Sequence, residues 1–117
     1  MTPTIITIPG ERPMSWNVFY SGKHWRNRMA EADRVHAMVR AHLPHFNAYT
    51  VPVVITVAAY FDKEPLDPDN IPAKLYIDGL CGWLLTDDTR KQISEVRTQS
   101  WIDHTNPRVV IVIQETI

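Results

Sequence analysis

The most restrictive feature of this sequence is a stretch from Val51 to Phe61 that is apolar almost without break and rich in valine. It is too short and too β-branched for a buried helix, and it lacks the regular polar alternation of a strand with one solvent-facing side. We therefore predict a strand that is buried on both faces and lies centrally in a sheet.

A helical pattern lies between His24 and Leu43. Its apolar residues recur at spacings of three and four, which is typical of a helix with one apolar stripe. Arginines fall between them, and Pro44 ends the pattern, so we predict an amphipathic helix with a basic outer face. The apolar positions are Trp25, Met29, Ala32, Val35, Val39 and Leu43.

Local signals predict the elements on either side of these two segments. The β-branched run from Thr4 to Ile8 predicts a first strand, and the residues from Pro13 to Gly22 predict an irregular loop. Asp67 and Pro68 predict the N-cap and the first residue of a second helix that runs to about Leu80.

The last part of the chain predicts two more strands. Residues Gln92 to Ile102 alternate as in a half-exposed strand, with Val96 and Ile102 on one side and polar side chains on the other. Arg108 to Gln114 is apolar and predicts the final strand. The fold class is therefore α/β (α+β): one small domain over residues 1–117, with a mixed sheet of about four strands packed with two helices in the order β-α-β-α-β-β.

Composition excludes several classes of protein. The 117 residues are 44% hydrophobic and 21% charged, as in an ordinary single globular domain. No run approaches the roughly 20 apolar residues that span a bilayer, and the N-terminus lacks a signal-peptide pattern, so we expect no membrane partner and a cytoplasmic location. The single Cys81 excludes an internal disulfide, and the glycine pattern of a phosphate-binding loop is missing.

The formal net charge of −1 conceals a separation of charge along the chain. Residues 23–40 are mainly basic, whereas residues 62–88 are mainly acidic. A basic surface beside a carboxylate cluster suits an enzyme that grips polyphosphate and binds a divalent cation. Two solvated faces would give the same pattern, and charge alone does not separate the two interpretations.

The acidic stretch contains the strongest chemical motif. Converging carboxylates repel one another unless a cation neutralises them, and Mg²⁺ prefers oxygen ligands. Such an ion activates water for attack on a phosphodiester, and a nearby lysine offsets the developing charge. The motif comprises Asp67, Asp69, Asn70, Lys74, Asp78, Asp87 and Asp88.

A structural interpretation of the same residues stays open. Asp67 is a good N-cap residue, Asp69 favours the helix dipole, and Asp87-Asp88 suits a polar turn. A calcium loop of the EF-hand type is excluded, because Pro72 stands where that loop requires glycine.

These motifs resemble the RusA-like family of Holliday junction resolvases, small endonucleases often found in phages and prophages. The resemblance covers nearly the whole chain and is carried by Pro13-Met-Ser15-Trp-Asn17, Lys23-His-Trp25, Asp67-Pro-Asp69-Asn70, Lys74, Asp78-Gly-Leu80, and Asp87-Asp88 with Ile93. It implies a homodimer of mixed α/β subunits that binds four-way DNA junctions and makes paired, magnesium-dependent nicks.

The resemblance also assigns roles to residues. Asp67, Asp69 and Asp88 would bind Mg²⁺, with Mn²⁺ as a substitute, and Lys74 would be the catalytic lysine. Asn70, Asp78 and Asp87 would be supporting residues. The expected DNA-binding residues are Lys23, Arg26 and Arg28 on the first helix and Arg90, Lys91 and Arg97 near the second acidic pair.

Two departures from the family pattern keep alternatives open. The family lysine follows the Asp-Asn pair one residue sooner than Lys74 does, and about 100° of helical rotation separates the two positions. The overall charge is also less basic than is usual for a protein that embraces DNA. One alternative is thus a catalytically silent junction-binding module, and another is a structural or regulatory protein whose carboxylates are solvated.

Aromatic side chains could contribute to recognition of a branch point. Trp25 and Trp83 could stack on an unpaired base, although residues of this type more often fill the core. The spacing of four between Lys74 and Asp78 predicts an ion pair on one face of a helix.

Overall fold

The computed structural model describes residues 2–21, 25–86 and 89–116, which form one mixed sheet and its helices. The strands are β1 (Thr4–Pro9), β2 (Val53–Phe61), β3 (Ile93–Ile102) and β4 (Arg108–Glu115). The helices are α1 (Trp16–Tyr20), α2 (Trp25–Ala41) and α3 (Ala73–Leu80), with a 3-10 turn at Pro68–Asn70. The predicted mixed α+β class and the order of its main elements are confirmed.

The sheet has the strand order β1-β4-β2-β3. β4 pairs antiparallel with both β1 and β2, whereas β2 and β3 are parallel. Parallel neighbours need a crossover connection, and α3 lies within it. β2 therefore has strands on both sides, while β3 forms one edge of the sheet.

The prediction that β2 is buried on both faces is confirmed. Thr56 and Ala58 are buried on one face. The opposite face belongs to the core, where β2 side chains join those of β1, β4 and the helices. The buried β2 residues on this face are Val53, Ile55, Val57, Ala59 and Phe61.

The helix α2 contributes only part of its predicted apolar stripe to the core. Val35 and Val39 are fully buried, but Trp25 and Met29 in the first turns are 51% and 53% exposed. The stripe prediction is therefore wrong for those two residues, because the start of the helix extends beyond the core. None of the helices within the described ranges is long and apolar enough to cross a membrane.

Two helical boundaries differ from the sequence-based prediction. The segment expected to be an irregular loop contains α1, whose first turn is capped because the Ser15 hydroxyl accepts a hydrogen bond from the Val18 N–H at 3.1 Å. The second predicted helix is interrupted: the 3-10 turn follows Asp67, Ile71 is extended, and α3 begins only at Ala73.

β3 differs from the predicted half-exposed strand. Val96 and Ile102, expected on a protected side, are 46% and 54% exposed. The polar residues between them are also largely exposed, so both faces of this edge strand reach solvent. Alternation identified which residues share a face, but that face is covered only in part, where the Ser100 hydroxyl donates to the Leu66 carbonyl.

Candidate functional site

Asp67 and Asp69 lie in a short acidic turn, residues 67–70, that follows β2 and precedes α3. The Asn70 N–H donates to the Asp67 carbonyl at 2.9 Å, which closes the turn. Asp67 occupies the predicted N-cap position with proline after it, but its carboxylate makes no capping hydrogen bond. Both aspartates are exposed, and within the described part of the chain neither carboxylate has a hydrogen-bond or ion-pair partner.

Asn70 connects the acidic turn to α1. Its Oδ1 accepts a hydrogen bond from the backbone N–H of Asn17 at 3.1 Å, in the first turn of that helix. The early N–H groups of a helix have no partner within the helix, so this bond also satisfies one of them. Asn70, expected as a supporting residue, thus fixes α1 beside Asp67 and Asp69.

Lys74 lies in the first turn of α3, one turn before Asp78. Its Nζ is 3.2 Å from Asp78 Oδ1, which confirms the predicted ion pair. Because the chain is extended at Ile71, the direction of each α3 side chain depends on the start of that helix at Ala73 and not on the position of Asp67. The one-residue displacement of the lysine therefore cannot be converted directly into a rotation of its side chain.

A cleft of about 380 Å³ lies between α3 and β3 and contains several predicted residues. Lys74 and Asp78 line it from α3, and Arg90 lines it from the segment before β3. Glu95 is the second carboxylate in its wall. The structure therefore brings Lys74, Asp78 and Arg90 together around the α3–β3 cleft, whose apolar walls are Ile77, Ile93 and Val96.

Some predicted residues lie outside the described ranges. These are Lys23 and the pair Asp87-Asp88. The segment that follows the pair is fixed to β3, since the Ile93 N–H donates to the Thr89 carbonyl at 2.8 Å. Among residues 2–21, 25–86 and 89–116, no three His, Cys, Asp or Glu side chains are grouped as ligands for one metal ion.

The remaining predicted DNA-binding residues occupy separate surfaces. Arg26 lies in the first turn of α2, where its guanidinium is 5.4 Å from the ring centre of Trp25, and Arg28 is half-buried nearby. Lys91 lines a different pocket from the one that contains Arg90. Arg97 donates to Glu95 at 2.8 Å, and this hydrogen bond lowers the pKa of the Glu95 carboxyl.

Sequence reasoning missed a buried polar cluster that supports α3. Glu11 is buried, and its carboxylate accepts hydrogen bonds from Tyr76 at 2.8 Å and from Arg34 at 3.1 Å. Burial raises the pKa of the Tyr76 phenol, and the charge of Glu11 raises it further. Bonds to Glu31 and Glu11 raise the pKa of Arg34. No local pattern marks Glu11, because its partners are distant in sequence.

The two tryptophans considered for base stacking are surface residues. Trp83 is 42% exposed and lies 5.7 Å from the Phe46 ring, with the ring planes tilted by 53°. Trp25 is 51% exposed, so the expectation that such residues fill the core is wrong for both. Their exposure follows from their positions at the start of α2 and after α3.

In comparisons with known proteins, no family model and no curated protein matches the chain.

Proposed function

We propose that this protein is a magnesium-dependent endonuclease that acts in the cytoplasm on branched DNA, with the four-way junction as its preferred substrate. The observation that carries this proposal is the acidic turn. Asp67 and Asp69 are exposed and the described fold makes no use of their carboxylates, so a structural role does not account for them. Mg²⁺ is commonly held by one or two carboxylates together with water and substrate phosphate, which fits this pair.

The proposed roles follow the chemistry of each side chain. Asp67 and Asp69 hold the ion, and Asp88 is the third proposed ligand on the strength of the family resemblance. When bound there, Mg²⁺ would supply an activated water for attack on phosphorus. Lys74 and Arg90 line one cleft and offer positive charge to the DNA backbone and to the charge that develops during cleavage.

A homodimer is part of the proposal, with β3 as its contact. An edge strand offers unpaired backbone groups, and β3 also exposes Val96, Trp101 and Ile102. Antiparallel pairing of two β3 strands centred on Val96 would set Glu95 opposite the partner's Arg97 and Arg97 opposite the partner's Glu95, with both pairs on the same face of the joined sheet. A second copy is thus complementary to this edge in charge.

Charge reversal tests the dimer contact. Glu95→Arg or Arg97→Glu alone sets like charges opposite each other, so sedimentation should show a shift toward monomer. The double variant E95R/R97E restores opposite charges and should restore the dimer. Equal association in all four proteins would exclude this contact.

One observation favours a second candidate function, a catalytically silent junction-binding module. The Lys74 ammonium is engaged with Asp78 at 3.2 Å, so the lysine has a role that does not require catalysis. This candidate predicts tight, salt-sensitive binding to a junction without nicks in either Mg²⁺ or Mn²⁺.

A cleavage assay tests the proposal. The protein is incubated with an end-labelled mobile four-way junction and, separately, with a linear duplex of the same sequence, each in Mg²⁺ and in EDTA. We expect paired symmetric nicks only in the junction and only with Mg²⁺. Asp69→Asn should abolish nicking while leaving junction binding and thermal unfolding intact. Asp62→Asn, which changes another exposed carboxylate in the same stretch, should cut normally. Binding without nicking by the unmodified protein would instead support the silent module.

A further inference from the structure

The helix α1 carries a cluster of three aromatic side chains, Trp16, Phe19 and Tyr20, that has no role in the proposed cleavage chemistry. Phe19 is buried and anchors the helix, whereas Tyr20 is 64% exposed. The rings of Trp16 and Tyr20 are stacked, with centroids 5.5 Å apart and planes inclined by 20°. The Phe19 ring meets Tyr20 edge-on at 5.0 Å. Tyr20 is therefore held in one orientation by two neighbours while much of its ring remains open to solvent.

This cluster lies beside the acidic turn. The Asn17 N–H is 3.1 Å from Asn70 Oδ1, and Asn70 is the last residue of that turn. Tyr20 follows Asn17 by three residues, which is about 4.5 Å along a helix axis. The position of the ring is thus coupled to the segment that presents Asp67 and Asp69 through one hydrogen bond and less than one turn of helix.

We propose that the Tyr20 ring, supported by Trp16, stacks on an unpaired base of the DNA substrate. This inference rests on the proposed function and adds a means by which the site distinguishes a branch from a duplex. Every nucleobase has a π-face, so such a platform accepts any base that is free to stack. Bases within a linear duplex are already stacked on their neighbours, whereas an opened branch point supplies bases that are not.

The chemistry of the cluster favours a base over an apolar protein partner. Tyr20 presents a flat ring with a polar hydroxyl at its tip, which suits a partly wet contact. The neighbouring turn carries two exposed carboxylates suited to a phosphate-bound metal ion, and a nucleotide brings base and phosphate together. Phe46 is 68% exposed, and its ring is tilted by 53° against Trp83 rather than stacked, so Phe46 makes a suitable control.

The test places 2-aminopurine at the branch point of a four-way junction and measures quenching when protein binds. All proteins carry Asp69→Asn so that bound DNA stays uncut. We expect Tyr20→Phe to quench like the parent protein, and Tyr20→Ala to lose the quenching and to bind the junction about 5- to 150-fold more weakly. Affinity for linear duplex should not change. Phe46→Ala should behave like the parent in both assays.

The outcomes separate this inference from the proposed function. Unchanged quenching and unchanged junction affinity in Tyr20→Ala would overturn the stacking role while leaving the nuclease proposal standing. An equal loss of junction and duplex binding, or a loss in Tyr20→Phe as well, would also overturn it, since neither is expected of a ring that stacks on a free base. Failure of the unmodified protein to bind any junction would reject the proposed function itself. Thermal unfolding of each variant confirms that α1 still folds.

Discussion

Two ion pairs of nearly equal length lie on opposite sides of α3 in different surroundings. On the side that packs against α2, Arg34 lies 3.1 Å from Glu11, whose side chain is only 6% exposed. On the side that lines the cleft, Lys74 lies 3.2 Å from Asp78, whose side chain is 29% exposed. The distances alone would suggest equivalent interactions.

The difference shows how surroundings determine the role of a charged residue. Glu11 cannot exchange its partners for water without disrupting the core, so its bonds specify how α2, α3 and the segment after β1 fit together. The Lys74 pair is exposed, and a pair of this kind adds little to stability. The packed side of α3 therefore determines stability, and the cleft side is available for binding and chemistry.

The largest expected effect is on the packed side. Glu11→Ala should lower the free energy of unfolding by about 3 kcal/mol, because it leaves the buried Tyr76 hydroxyl without an acceptor and removes a partner of Arg34. Urea denaturation measures the loss. Adding Tyr76→Phe to Glu11→Ala should cause little further loss, since the stranded hydroxyl is then absent. A loss below about 1 kcal/mol in Glu11→Ala would remove the contrast between the two sides.

The next effect is expected on the cleft side and in activity rather than stability. Lys74→Ala should slow junction nicking at least about 100-fold, equivalent to about 2.7 kcal/mol of transition-state stabilisation. The free energy of unfolding should change by less than about 0.5 kcal/mol, as is usual for exposed residues. Single-turnover cleavage and urea denaturation measure the two quantities. Asp78→Asn, which removes the partner but keeps the lysine, is the matched control, and it should cut better than Lys74→Ala.

A smaller loss of stability is expected where Gly79 of α3 packs against α2. A Cβ atom at position 79 would lie 2.9 Å from the Cβ of Val39, so Gly79→Ala should cost about 2 kcal/mol through overpacking. Calorimetry of Gly79→Ala, Val39→Gly and the double variant measures the coupling, because Val39→Gly removes the Cβ atom that the new methyl group would meet. The double variant should lose less than the sum of the single losses, and simple additivity would show that the two helices do not clash at this point.

The smallest effect is expected at a half-buried ion pair away from both sides of α3. Asp103 accepts a hydrogen bond from Arg108 at 2.9 Å, and this bond lowers the pKa of the Asp103 carboxyl from its usual 3.8. A carboxylate with a lowered pKa in the folded state stabilises the protein above its unfolded pKa, and that contribution is lost as pH falls through the folded pKa. The stability difference between wild type and Asp103→Asn should therefore shrink below about pH 3.8. A difference that grows in acid would contradict this sign.

Sequence reasoning succeeded where a pattern and its physical cause lie within one segment. The β2 stretch is apolar at nearly every position, and this pattern predicted a strand buried on both faces. The Lys74 and Asp78 side chains meet because residues four apart share a helix face. It failed at Asp67 because a capping residue can begin a helix or a 3-10 turn, and the extended Ile71 decides in favour of the turn. It also failed at α1, where polar residues and proline resemble those of a loop.

The amino-acid sequence alone determined the class of fold, the central strand, the main helices and the order of the candidate carboxylates, since these depend on local period and residue type. Only the tertiary structure decided that β3 is an edge strand exposed on both faces, because alternation along a strand contains no information about what covers it. The same holds for the burial of Glu11, whose partners Arg34 and Tyr76 are 23 and 65 residues away. Contacts over such distances depend on how the whole chain packs, and no local pattern records them.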